Sequence, residues 1–136
     1  GLGRLGEDGI GTPLEVDKWL PAPSQGAIGI ECRTDDQQTH DWLAAIDHAP
    51  TRAEVSVERA LLEALGGSCH SPVGMLAVAE SDAIRLTAAL FSADGAERVD
   101  GSAEIAPGDD AAIRAFAADL LERATPGIEA LFSGAA

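Results

Sequence analysis

The residue whose type and setting point most directly to chemistry is Cys69. It lies in the run Gly66-Gly67-Ser68-Cys69-His70-Ser71-Pro72-Val73-Gly74, a loop of small residues between a helical pattern and an apolar run. A thiol in such a loop is open to solvent, and its thiolate is a soft nucleophile. His70 could take the thiol proton, but neighbouring side chains on an extended chain point opposite ways, which weakens that pairing. On residue types alone an inert loop cysteine is the simpler reading. Cys32 is the second of two thiols, and with Cys69 and His70 it could in principle share a metal. A zinc site needs four ligands, usually in closely spaced pairs. His40 and His48 fall on or near a helical stretch, at its surface, so no metal centre is expected. Two cysteines without a CxxC make no disulfide framework and fit a reducing, cytoplasmic setting.

Arg33 and Arg59 are the next candidates, since a guanidinium can clamp a carboxylate through two parallel hydrogen bonds. The competing reading is an ion pair with some of the 23 acidic residues. No G-x-S-x-G nucleophile elbow occurs, and the glycines form no phosphate-binding fingerprint.

The elements that must position these residues are legible in the hydrophobic pattern. Residues 26–32 read as a short strand with Ile28 and Ile30 on one face and no evident partner strand in this chain. Residues 35–46 read as a helix with Trp42, Leu43 and Ile46 on one face, and Pro50 stops it. Thr51-Arg52-Ala53-Glu54 has the form of a capping box. The helix that follows carries the stripe Val57, Leu61, Ala64, Leu65 and ends at Gly66-Gly67. Three strand patterns come next, at 73–79, 84–91 and 98–105, with Asp94-Gly95 as a hairpin turn. Asp109 or Asp110 caps a last helix with the stripe Ile113, Phe116, Ala117, Leu120, Leu121 and Ala124, and Pro126-Gly127 closes it. The prediction is an α+β domain at 35–136: a three-stranded antiparallel sheet with about three helices packed on one face, preceded by an extended segment, 1–34, that belongs to a neighbouring domain.

Composition narrows the partners. With 136 residues, 46% hydrophobic and only 4% aromatic, the chain holds one domain's worth of aliphatic core. Its formal net charge of −14 excludes a nucleic-acid backbone or an anionic membrane surface as partner. No apolar run is long enough to span a bilayer, and the start at Gly1-Leu2-Gly3 reads as that of a fragment.

Two blocks carry a family resemblance. Leu20-Pro21-Ala22-Pro23-Ser24-Gln25-Gly26-Ala27-Ile28-Gly29-Ile30-Glu31-Cys32-Arg33 is similar to the L-P-A-x-G-Q-G-A-x-G-I-E-x-R pattern of the porphobilinogen deaminases (hydroxymethylbilane synthases). The run from Glu58 to Gly74 resembles their E-R-A-F-L-x-x-L-x-G-x-C-x-x-P-[IV]-G block, and Gly1 to Gly6 resembles an upstream A-G-L-x-R-L-G segment. The resemblance spans essentially the whole chain. Ser24 stands where the family usually has Gly, which bears on the loop's backbone because serine tolerates positive φ poorly. His70 stands where many members have Gln or Arg.

The resemblance implies the C-terminal part of a transferase of tetrapyrrole and heme biosynthesis, which condenses four porphobilinogen molecules into hydroxymethylbilane with release of ammonia. It implies that Cys69 is the covalent attachment point of a dipyrromethane cofactor, and that Gln25, Gly26, Arg33 and Arg59 serve substrate binding or a domain interface. It places the catalytic aspartate, and hence every catalytic residue, in N-terminal domains absent from this chain. Those domains and porphobilinogen with its oligomers are the expected partners. The fragment alone is expected to be inactive and to lack cofactor. The alternatives are a structural or interaction domain that keeps the fold without activity, and a thiol-redox or metal module using Cys32 and Cys69.

Overall fold

The computed structural model describes residues 2–7 and 9–132; Gly1 of the upstream family-like segment and residues 133–136 of the expected domain lie outside them. After a 3-10 turn at Leu2–Leu5, the order is α1 (Gln37–Ile46), α2 (Ala49–Ala64), β1 (Val73–Ala79), β2 (Ile84–Phe91), β3 (Arg98–Ile105), α3 (Asp110–Glu122) and the short α4 (Pro126–Glu129). The strands form one antiparallel sheet in the order β1-β2-β3. The α+β architecture read from the sequence is the one observed.

Register explains which face is buried. Met75, Ala88 and Gly101 lie side by side across the sheet, as do Ala77, Leu86 and Ala103. These rows belong to one pleat face, the face on which α2 and α3 pack. Leu61 and Leu65 from α2 and Ile113, Phe116, Ala117 and Leu120 from α3 complete the core, together with Ile128 and Phe132. Leu61 has no exposed surface, and burying it stabilises the fold by about 2 kcal/mol. Gly101 allows the close approach of α3. A Cβ there would meet Phe116 Cε2 at 3.1 Å and Arg123 Nη2 at 3.0 Å.

Residues 26–32 take no place in the sheet, and Ile28 is 89% exposed. That accords with a strand that has no partner in this chain, and the β1 edge offers it none, because its outward amides are already taken. Met75 N–H donates to Pro21 O at 2.8 Å, Ala77 N–H to Glu58 Oε1 at 2.9 Å and Ala79 N–H to Glu54 Oε1 at 2.9 Å. Several local expectations change. The start of α2 moves. His48, not Thr51, is the N-cap, its Nδ1 accepting the Thr51 N–H at 3.3 Å. Pro50 sits in the first turn, where its missing N–H costs nothing, so it begins a helix instead of stopping one. Glu54 is thereby free to reach the strand edge. Pro126 likewise opens α4, while α3 has already ended at Glu122. The Asp109 side chain caps α3 through Ala112 N–H at 2.9 Å. Asp36 caps α1 through the N–H and hydroxyl of Thr39. Those two hydrogen bonds, the backbone one foremost, hold its carboxyl below the usual range. Helix α1 buries no residue, and Trp42 is 63% exposed.

Candidate functional site

The Cys69 loop begins where α2 ends. Leu65 N–H closes the last helical bond to Leu61 O, and Gly66 turns the chain at φ 67°, a conformation cheap only for glycine. Gly67 N–H returns to Leu62 O at 2.9 Å. Ser68 to Ser71 then form a tight turn: Ser71 N–H donates to Ser68 O at 3.0 Å, Ser68 N–H to Ser71 Oγ at 2.9 Å and His70 N–H to Ser68 Oγ at 3.2 Å. Pro72 O accepts Phe91 N–H at 2.9 Å, which ties the loop's exit to β2. Cys69 stands on this turn as an exposed free thiol. No hydrogen bond joins it to His70 among the described residues, in keeping with the opposed directions of adjacent side chains. Cys32 is also free and half-buried, and no cluster of His, Cys, Asp or Glu able to hold a metal occurs among the described residues.

A second locus forms where the 20–27 segment crosses α2. Ala22 O accepts Gln25 N–H at 3.0 Å and Ser24 O accepts Ala27 N–H at 3.1 Å, so two turns overlap. Ser24 sits at φ 58° and Gly26 at φ 81°. Ser24 thus occupies the left-handed region for which its residue type is poorly suited. Gln25 spends its side-chain oxygen on Ala22 N–H at 3.0 Å. Ser24 N–H donates to Glu58 Oε2 at 2.6 Å, and Arg59 Nε donates to Ser24 Oγ at 3.3 Å. Glu58 is only 7% exposed and serves two amides, that of Ser24 and that of Ala77.

The candidate residues therefore divide. Gln25, Gly26 and Arg59 gather around the Ser24 turn, against a 260 Å³ cleft and a 380 Å³ cavity. Arg59 lines the larger one with Ala27 to Ile30 and the Leu43–Ser56 stretch of α1 and α2. Cys69 lines neither. Arg33 stands apart as well, close to Asp35 at 3.7 Å and Asp36 at 4.0 Å, the ion-pair arrangement weighed against its clamp role. Sequence reasoning gave Glu54 to a capping box and passed over Glu58. Their spacing with Leu61 and Leu65 was the available signal, because 54, 58, 61 and 65 share one helical face and an acid on a buried face needs partners.

The family models match both halves of this geometry. "Porphobilinogen deaminase, C-terminal domain" matches residues 52–119, half of the chain, and "Porphobilinogen deaminase, dipyromethane cofactor binding domain" matches residues 1–41. The chain belongs to the porphobilinogen deaminase family. Among curated porphobilinogen deaminases, that of Sphingopyxis alaskensis is 49% identical over 98% of this chain and 42% of its own length. Those of Nitrobacter hamburgensis and Xanthomonas campestris are 40% and 44% identical, over 99% and 79% of this chain and 43% and 36% of their own lengths. The chain thus spans about two fifths of the porphobilinogen deaminases it matches. Cys69 falls within the span of the C-terminal domain model, and the Ser24 turn within that of the model named for the cofactor. No helix among the described residues is long and apolar enough to cross a membrane.

Proposed function

We propose that this chain is the C-terminal part of an enzyme that joins four porphobilinogen molecules into hydroxymethylbilane with release of ammonia, and that Cys69 holds its dipyrromethane cofactor through a thioether. The observation that carries the reading is an exposed, free thiol on a tight turn inside the family-matched region. A covalently held group fits there: among the described residues the thiol makes no hydrogen bond that attachment would break, and the turn is fixed at both ends by α2 and β2. When bound, the cofactor supplies the free pyrrole carbon to which the first substrate unit is joined.

The chain's own residues then bind and hold. Arg59 offers its terminal guanidinium nitrogens to a carboxylate of porphobilinogen or its oligomers. Gln25 and Gly26 shape the turn beside it. Arg33, engaged with Asp35 and Asp36, holds the start of α1. Residues 1–34 complete a preceding domain and act as its hinge, and 35–136 form the cofactor-carrying domain. The exposed Ile28, Ile30 and Trp42 are surfaces for the N-terminal domains of the same protein. The catalytic carboxylate lies in those domains, so the isolated chain is inactive, and the enzyme works in the cytoplasm.

The test is the intact mass of the full-length protein followed by peptide mapping. A gain of two linked pyrrole units on the Cys69 peptide supports the reading. An unmodified Cys69 in folded protein given porphobilinogen refutes the attachment and leaves a non-catalytic domain. Hydroxymethylbilane formation by the isolated chain would overturn the predicted inactivity.

A further inference from the structure

We propose that Glu58 and Ser24 form the positioning unit for Arg59. Glu58 clips the Ser24 turn to the β1 edge, and the Ser24 hydroxyl holds Arg59 Nε, leaving the rest of the guanidinium for a carboxylate in the adjoining cavity. The cavity assignment rests on the function proposed above; the clip itself does not.

Three observations carry the inference. Consecutive residues of α2 grip one serine from opposite chemistry: the Glu58 carboxylate accepts its N–H at 2.6 Å, and Arg59 Nε donates to its hydroxyl at 3.3 Å. Glu58 is itself immobilised by Ala77 N–H at 2.9 Å, so the grip is referenced to the sheet. Lys18, Arg33, Arg52, Arg85, Arg98 and Arg123 are ion-paired, whereas Arg59, like Arg4 and Arg114, has no carboxylate partner among the described residues despite an excess of acids, and of these three Arg59 lines the cavity beside the Ser24 turn. An arginine kept unpaired in so acidic a chain, oriented through Nε alone, has its fork available for an external anion. The serine is necessary to this arrangement. A glycine would take φ 58° without strain but has no hydroxyl, so the strained residue supplies the anchor.

Ser24→Gly separates positioning from folding, because it relieves the backbone and keeps the N–H for Glu58. The expected result is a raised melting temperature, a faster-exchanging Arg59 Nε–H signal by NMR, and in the full-length enzyme a KM for porphobilinogen higher by about threefold, with kcat falling less. Ser24→Asn, which tolerates the left-handed conformation and restores a side-chain oxygen, should recover the Nε–H protection. Glu58→Gln should raise amide exchange at Ser24 by about tenfold, while Glu54→Gln leaves it unchanged. An Arg59 Nε–H unaffected by Ser24→Gly, or equal Ser24 exchange in the two glutamine variants, overturns the proposal. Absence of turnover by the unsubstituted full-length protein refutes the enzyme reading instead, and leaves the two exchange measurements to decide the positioning.

Discussion

Replacing Glu58 with alanine should destabilise the chain far more than the same change at Glu54, although both carboxylates cap the β1 edge. Glu58 accepts two amides at 2.6 and 2.9 Å, one of them buried, and is itself 7% exposed. Removing it orphans the Ala77 N–H in a dry setting, worth about 2 kcal/mol, and the partly buried Ser24 N–H, worth about 1 kcal/mol after partial hydration. The expected loss is therefore about 3 kcal/mol. Glu54 accepts a single amide, that of the exposed Ala79, which water can replace, so its loss should be within about 0.5 kcal/mol. Urea unfolding of the two variants, compared through midpoint and slope, measures the difference directly. The slope should stay constant, showing that the native state and not the compactness of the unfolded chain has changed. Equal midpoints for Glu58→Ala and Glu54→Ala would refute the argument, since they would mean that the buried amide finds another partner at no loss.

Other expectations follow from single contacts. Cys69 should alkylate with iodoacetamide well before the half-buried Cys32, read by peptide mass at short times; the reverse order would contradict the exposed turn. A Cβ at Gly74 would stand 3.0 Å from both Cβ and O of Leu20, so Gly74→Ala should loosen residues 20–24, seen as faster amide exchange there, while β2 and β3 keep their protection. The depressed Asp36 carboxyl contributes stability that is complete above its unfolded value near 3.8 and is lost as pH falls through its lower folded value. Amide protection in α1 should accordingly decline on acidification below about pH 4, and Asp36→Asn, which keeps a capping oxygen, should remove that dependence.

The sheet and α3 were legible because their patterns are local. Ile84, Leu86, Ala88 and Leu90 alternate without interruption, and Ile113, Phe116, Ala117 and Leu120 repeat at helical spacing, so their burial follows from period, whereas that of Ala89, on the other face of β2, does not. The start of α2 was not, because Thr51 and Glu54 satisfy a capping box in sequence while His48 and Ala79 compete for the same groups in space. The 26–32 segment was read as a strand with no partner in this chain, and it pairs with none among the described residues. Its alternation is real, but a strand needs a free edge, and the side chains occupying the β1 edge come from residues 54 and 58. Cys69 was legible as a loop thiol, since small residues around it announce a turn. The Ser24 grip was not, because it depends on a long-range meeting with α2 that no local spacing encodes.

The β1 edge has a consequence for how copies of this chain meet. An edge strand with free amides is a template for another strand and so for ordered aggregation. Here the chain's own backbone and two carboxylates occupy the outward amides of Met75, Ala77 and Ala79, so an incoming strand finds no donors. Growth of the sheet is left to the β3 side, where Asp100 is paired with Arg98 and the exposed Glu104 adds a further negative charge. Part of the strong acidity of the sequence thus acts locally, as a guard that keeps a small sheet from lengthening into fibres.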